Sequence, residues 1–239
     1  MRIAGRKIKL FADGADLSEI KKFHEMGVIA GFTSNPFFLK EYGITNYERF
    51  IREAVEMFPD LSMSFEVLSD DLATMEEEAF KIASWAENCH VKIPITNTKG
   101  ESTSRIIKSL SRKGVKLNIT VIFTLGQAKI AVDSLSPDVS SYISIFAGRI
   151  ADTGVDPLPI VKESLNLIHA APLPKTELLW ASTKELYNII QAEEAGCSII
   201  TVRYELLDRL SVLGKSLEDS SLDMVRLFYD AAQSSGLVI

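Results

Sequence analysis

Residues 8–33 read IKLFADGADLSEIKKFHEMGVIAGFT. Two short runs, Ile8–Asp13 and Val28–Thr33, have the composition of strands. Between them Leu17, Ile20, Lys21 and His24 recur at helical spacing. Asp16 or Ser18 stands where the N-cap of that helix is wanted. A strand, a helix and a second strand in this order form a parallel unit with a crossover connection. The glycine pattern separates the parallel folds. FADGADL has Gly14 but lacks the second and third glycines of a dinucleotide-binding turn, which weighs against an open doubly wound sheet.

The alternation continues outward from this unit. Further candidate strands are Ser62–Val67, Val91–Ile95, Leu117–Ile122, Tyr142–Phe146, Leu178–Ala181 and Ile199–Val202. Most lack simple polar alternation, the expectation for strands covered on both faces. Leu72, Met75, Ala79 and Ile82 mark another helix, with Asp70 or Asp71 as its cap. About eight βα units in 239 residues match a single (β/α)8 barrel of the α/β class, spanning residues 1–239 without a linker. After Gly214 the pattern predicts a last helix over 221–232. An apolar end, Leu237–Ile239, is expected to pack on the same molecule or a neighbour.

Hydrophobic residues make up 46% of the chain and charged residues 24%, which excludes disordered and collagen-like classes. Cys89 and Cys197 lie in unrelated contexts, pointing to a reducing, cytoplasmic setting. The net charge of −6 argues against nucleic acid or anionic membrane as partners. The amino-terminal MRIAGRKIKL lacks the apolar run of a signal peptide, and no stretch reaches the roughly 18 apolar residues of a membrane span. His24, His90 and His169 share no ligand spacing, so neither metal nor cofactor is expected. His24 is read as a core or boundary residue, and Trp85 and Trp180 as packing residues.

In a barrel the chemistry gathers where the strands end. Asp13 closes the first candidate strand, and Thr33, Ser34 and Asn35 follow the second. Glu66 lies near the end of the third and Lys92 lies within the fourth. Asn118 and Thr120 share a face of the fifth, Ser144 and Phe146 a face of the sixth, and Ser182 follows the seventh. Lys92 carries the most information. Between Val91 and Ile93 its charge is costly, so desolvation should lower its pKa and favour attack on a carbonyl to form a Schiff base. A strand-end lysine reaching solvent, or one paired with Glu66 or Asp13, is the structural reading of the same position.

The segments GFTSNP, SFEVL, VKIPIT, LNITVIFTLGQA and ISIFAGRIADTG, in this order, resemble the signatures of the transaldolase family, including its small transaldolase and fructose-6-phosphate aldolase branch. The resemblance runs from about Asp13 to Thr201 and implies a class I aldolase in which lysine forms an imine with a ketose. By that resemblance Lys92 is the Schiff-base lysine and Asp13 the acid/base at the sugar hydroxyl. Glu66 and Thr120 position a catalytic water. Asn35 and Asn118 hold the donor's hydroxyls, with Thr33 on the same wall. Ser144, Phe146 and Arg149 line the substrate and phosphate end, joined by Ser182 and Lys184.

The resemblance also bears on the reaction. Transferases of the family typically carry glutamate and phenylalanine where Glu66 and Phe146 stand, and the fructose-6-phosphate aldolases glutamine and tyrosine. Phenylalanine cannot protonate an enamine, so transfer of a dihydroxyacetone unit between sugar phosphates is the expectation. Release of free dihydroxyacetone, or a non-catalytic sugar-phosphate-binding barrel, are the alternatives. Three positions depart from the family: FADGAD at the first strand, Ile145 where proline is common, and Lys184 where many members have arginine. Small members form rings, often decamers, which implies a homo-oligomer.

Overall fold

In the computed structural model, which describes residues 7–237, eight parallel strands close into one barrel in sequence order. They are β1 (Lys9–Asp13), β2 (Gly31–Thr33), β3 (Ser62–Glu66), β4 (Cys89–Pro94), β5 (Leu117–Ile122), β6 (Ser141–Ile145), β7 (Thr176–Trp180) and β8 (Ile199–Arg203). The pairing of β1 with β8 closes the ring and removes the doubly wound alternative. The outer helices are α1 (Leu17–Glu25), α2 (Pro36–Glu41), α3 (Tyr47–Met57), α4 (Leu72–Trp85), α5 (Ser104–Arg112), α6 (Leu125–Ser134), α7 (Ala147–Asp152), α8 (Leu158–Ala170), α9 (Tyr187–Glu194), α10 (Tyr204–Leu207) and α11 (Leu217–Ser235).

The strands do alternate, contrary to the expectation from parallel sheets. In SMSFE, Met63 and Phe65 face outward into the main apolar core, while Ser62, Ser64 and Glu66 face the barrel interior. Val91 and Ile93, Leu117 and Ile119, and Ile143 and Ile145 repeat the outward pattern against the helices. The interior is half apolar, with Phe11, Leu179, Ala181 and Ile199 together, and half polar, with side chains bonded to one another. A hydrogen-bonded inner face meets the same burial requirement that an apolar one would.

Asp16 caps α1, its carboxylate accepting from the N–H groups of Ser18 at 2.8 Å and Glu19 at 3.3 Å. The buried row of that helix is Ile20 and Phe23, not Ile20 with Lys21 and His24. Phe23 stacks on Tyr204, and that long-range contact sets the inward face. Lys21 is exposed. His24 is a boundary residue, its ring edge against Phe58 and its Nε2 2.9 Å from Asp60. Gly27, at φ 65°, ends the helix, and the chain needs three further residues before β2 pairs, which shortens that strand to Gly31–Thr33. In α4, Met75, Ala79 and Ile82 are buried and Asp71 is the cap. Trp180 is fully buried as a packing residue.

The last helix is longer than its periodicity predicts, because Ser216 caps it four residues earlier than expected and Gly236, at φ 68°, ends it. None of its side chains is buried, so no face of it packs on the barrel. Leu237 is exposed, and the rest of the Leu237–Ile239 end lies outside the described residues. Among the described residues no helix is long and apolar enough to cross a membrane.

Candidate active site

The polar interior rises in tiers. At the amino-terminal end Lys9 meets Glu177 at 2.6 Å, and the ring of His90 stacks on Tyr142 with centroids 3.9 Å apart. His90 also lies 3.3 Å from Ser62 Oγ through Nδ1 and 3.0 Å from Ser140 Oγ through Nε2. Burial drives its pKa down to about 3, helped by the charges of Lys116 and Lys9. Above this, Asn118 donates from Nδ2 to Ser64 Oγ at 3.1 Å and accepts from Ser144 Oγ at 2.6 Å.

The carboxyl-terminal mouth holds the ionisable group of interest. Lys92 is 93% covered, yet its Nζ is 3.1 Å from Glu66 Oε2 and donates to the Ser34 carbonyl at 2.8 Å. The amine therefore has the carboxylate partner that the structural reading of Lys92 allowed. Glu66 is its register partner on β3 and Asn118 its register partner on β5. Asp13 accepts from Thr33 Oγ1 at 2.8 Å. Its pKa is raised above the usual carboxylate range, chiefly by burial. The Lys92 ammonium, the Thr33 hydrogen bond and the Arg203 guanidinium oppose that rise. Thr120 is buried two residues above Asn118 on the same face. Just beyond it the β5–β6 register shifts, and Val121 adopts φ 60°, a left-handed conformation rare for a β-branched residue.

Asn35 caps α2, its Oδ1 accepting from the N–H groups of Phe37 at 2.9 Å and Phe38 at 3.3 Å, so only its amide NH₂ is left for another partner. Phe146 precedes α7 and its ring lies 5.9 Å from that of Phe123. Arg149 and Lys184 form a second patch with Asp152, at 3.8 Å and 2.8 Å from its Oδ2. Ser182 takes φ 62° at the end of β7, between that strand and Lys184. Asp13, Thr33, Glu66 and Lys92 are thus brought together, with Asn118 and Ser144 adjoining. Among the described residues no hydrogen bond or ion pair joins the Arg149–Lys184 patch to them.

The sequence reading missed Arg203. It ends β8 as the register partner of Asp13, with its guanidinium 5.4 Å from the Phe38 ring centroid and ion pairs to Glu205 at 3.4 Å and Glu41 at 3.9 Å. The expected strand stopped at Val202, one residue short. The every-second-residue face Ile199, Thr201, Arg203 was the available signal. Among the described residues no cluster of three His, Cys, Asp or Glu side chains could hold a metal.

Comparison with known proteins bears on the family and the fold. A family model described as transaldolase/fructose-6-phosphate aldolase matches residues 10–235. A probable transaldolase from an Exiguobacterium species is 34% identical over 229 residues, covering 95% of this chain and 100% of the relative. A probable transaldolase from Clostridium acetobutylicum is 35% identical over 203 residues, covering 85% of this chain and 89% of its own. In fold, the chain is similar to the putative copper homeostasis protein CutC from Streptococcus agalactiae, with a TM-score of 0.58, 15% identity and coverage of 81% and 97%.

Proposed function

The chain belongs to the transaldolase/fructose-6-phosphate aldolase family, and from that premise we propose that it transfers a dihydroxyacetone unit between sugar phosphates through an imine on Lys92. The observation that carries this reading is the Lys92 amine. It is buried at the mouth and held by one carboxylate and one carbonyl, with the raised carboxyl group of Asp13 nearby.

The chemistry follows from those positions. To attack the ketone carbon, the amine must first give up a proton, and Glu66 at 3.1 Å is placed to receive it. The carbinolamine so formed loses water to give the iminium, and Glu66 with Thr120 would hold that water. Asp13 then takes the proton from the hydroxyl on the breaking bond as the carbon–carbon electrons move into the iminium and an aldehyde leaves. A carboxyl group whose pKa is raised toward the working pH suits a proton that must be taken and later returned. The enamine attacks the acceptor aldehyde, Asp13 returns the proton, and water releases the product from Lys92.

The remaining side chains suit a polyol phosphate. Asn35 has a free NH₂ because its carbonyl oxygen is used by the helix cap, so it donates to substrate hydroxyls. Asn118 is preorganised, fixed from both sides by Ser64 and Ser144, and Thr33 is held by its hydrogen bond to Asp13. Phe146 offers no proton to the enamine, which therefore waits for an acceptor. Arg149, Ser182 and Lys184 hold the phosphate as a fork, a hydroxyl and a point charge.

The chain works in this reading as a homo-oligomer in the cytoplasm. The support for an oligomer is α11, whose Val225, Leu227, Phe228 and Tyr229 are all exposed by more than half, the kind of apolar surface that a neighbouring subunit covers.

Borohydride reduction in the presence of a donor ketose tests the proposal. Mass spectrometry is expected to find the reduced adduct on Lys92 and no adduct in Lys92→Ala, which should retain its fold by circular dichroism. An unmodified Lys92 under turnover conditions would overturn the mechanism. Free dihydroxyacetone released without an acceptor, at the transfer rate, would make the enzyme a simple aldolase instead.

A further inference from the structure

Resting on the phosphate assignment above, we propose that Asp152 is a built-in competitor for the phosphate site: its carboxylate occupies Arg149 and Lys184 when substrate is absent and must yield to the incoming phosphate. Both cations address a single oxygen, Lys184 at 2.8 Å and Arg149 at 3.8 Å. Two positive charges on one carboxylate leave the patch short of one anion.

The backbones that carry the two cations are held close together. Gly148, beside Arg149, lies so close to the β7 turn that an added Cβ would fall 1.7 Å from the Ser182 carbonyl oxygen and 3.0 Å from Lys184 Cγ. Ser182 itself is held at φ 62°. The start of α7 and the Ser182–Lys184 turn are therefore pressed together, which keeps the backbones that carry Arg149 and Lys184 adjacent. Asp152, on the last turn of the same short helix, is 46% exposed, so an anion from solvent reaches the face that the carboxylate occupies. A phosphate brings more charge and more acceptor oxygens than one carboxylate, so it can displace Asp152, whereas a neutral hydroxyl cannot. Asp152 thus lowers phosphate affinity, re-engages the cations as product leaves, and sets how strongly phosphorylated acceptors are preferred over plain ones.

The test is inhibition by inorganic phosphate, together with the ratio of kcat/KM for a phosphorylated over an unphosphorylated aldehyde acceptor. Asp152→Asn should lower the phosphate inhibition constant by about three- to tenfold, the range for losing one exposed carboxylate from two cations. It should raise the acceptor ratio in proportion, and Asp152→Glu should restore both values. An unchanged or weaker phosphate inhibition in Asp152→Asn would overturn the proposal. Lys184→Met separates this failure from failure of the phosphate assignment. If Lys184→Met weakens inhibition while Asp152→Asn does not strengthen it, only the role of Asp152 is wrong. If Lys184→Met leaves inhibition untouched, the phosphate lies elsewhere and the proposal falls with the assignment.

Discussion

Lowering the pH from 7.5 to 5.0 should destabilise the barrel through His90, a group far from the mouth. His90 titrates near 6.5 when free and at about 3 in the fold, because burial in the interior tier penalises its charged form and the nearby charges of Lys116 and Lys9 add to that penalty. The folded state then binds fewer protons than the unfolded state between these two values. Stability from this residue is complete above pH 6.5 and falls as the pH drops toward 3. At 1.36 kcal/mol per pH unit, the loss between pH 6.5 and 5.0 is about 2 kcal/mol, a large part of an ordinary folding free energy.

Urea unfolding at several pH values reads this directly. Wild type should lose about 2 kcal/mol more than His90→Gln between pH 7.5 and 5.0, with a slope approaching one proton below pH 6. The variant should be less stable at pH 7.5, since it lacks the stacked ring, so the evidence is the difference in slope and not the difference in level. Asp13, with its raised pKa, acts in the opposite sense by taking up a proton in the folded state first, and it cancels between the two proteins. Parallel slopes would refute the reasoning, because they would mean that His90 is protonated as readily inside the barrel as outside.

Arg203→Met should move the acidic limb of the kcat/KM profile to higher pH, because the guanidinium is one of the groups holding the Asp13 pKa down; a limb that stays in place or moves the other way would refute the coupling. Val121→Gly should stabilise the fold by roughly 0.5–1 kcal/mol, read from the urea midpoint, since glycine takes φ 60° without the strain of a β-branched side chain and gives back part of that gain as unfolded-state entropy. Phe228→Asp on the uncovered helix should shift sedimentation from a ring to smaller species, and a wild type that already sediments as one chain would refute the assembly.

The barrel was legible because every βα unit repeats the same local instruction. An apolar outward face in each strand and a capped helix after it leave few ways to close. Lys92, Glu66 and Asp13 were legible for a related reason: a charged residue at the end of an otherwise apolar run has to be paired or used, and the structure pairs Lys92 with Glu66 at 3.1 Å. What the chain did not disclose locally depends on distant partners. Phe23 turns inward in place of His24 because Tyr204 arrives from the far end of the chain. The left-handed Val121 has no glycine or asparagine to announce it, and only the shifted β5–β6 register requires it.

The polarity of the barrel interior was hidden by a default. Parallel strands are usually apolar on both faces, so Ser62 and Ser64 of SMSFE read as neutral strand residues and not as part of one continuous face with Asn118 and Ser144. That face carries a functional consequence. Asn118 is held by Ser64 and Ser144, and its register partner is Lys92, so the polar tier beneath the mouth fixes the strand ends on which the amine and its partners stand. A buried network with its bonds made resists rearrangement, since breaking any member leaves an unsatisfied group inside the barrel. The proposed imine chemistry needs that resistance, because in it the amine meets Glu66 before substrate arrives and the ketone carbon afterwards without the wall around it moving.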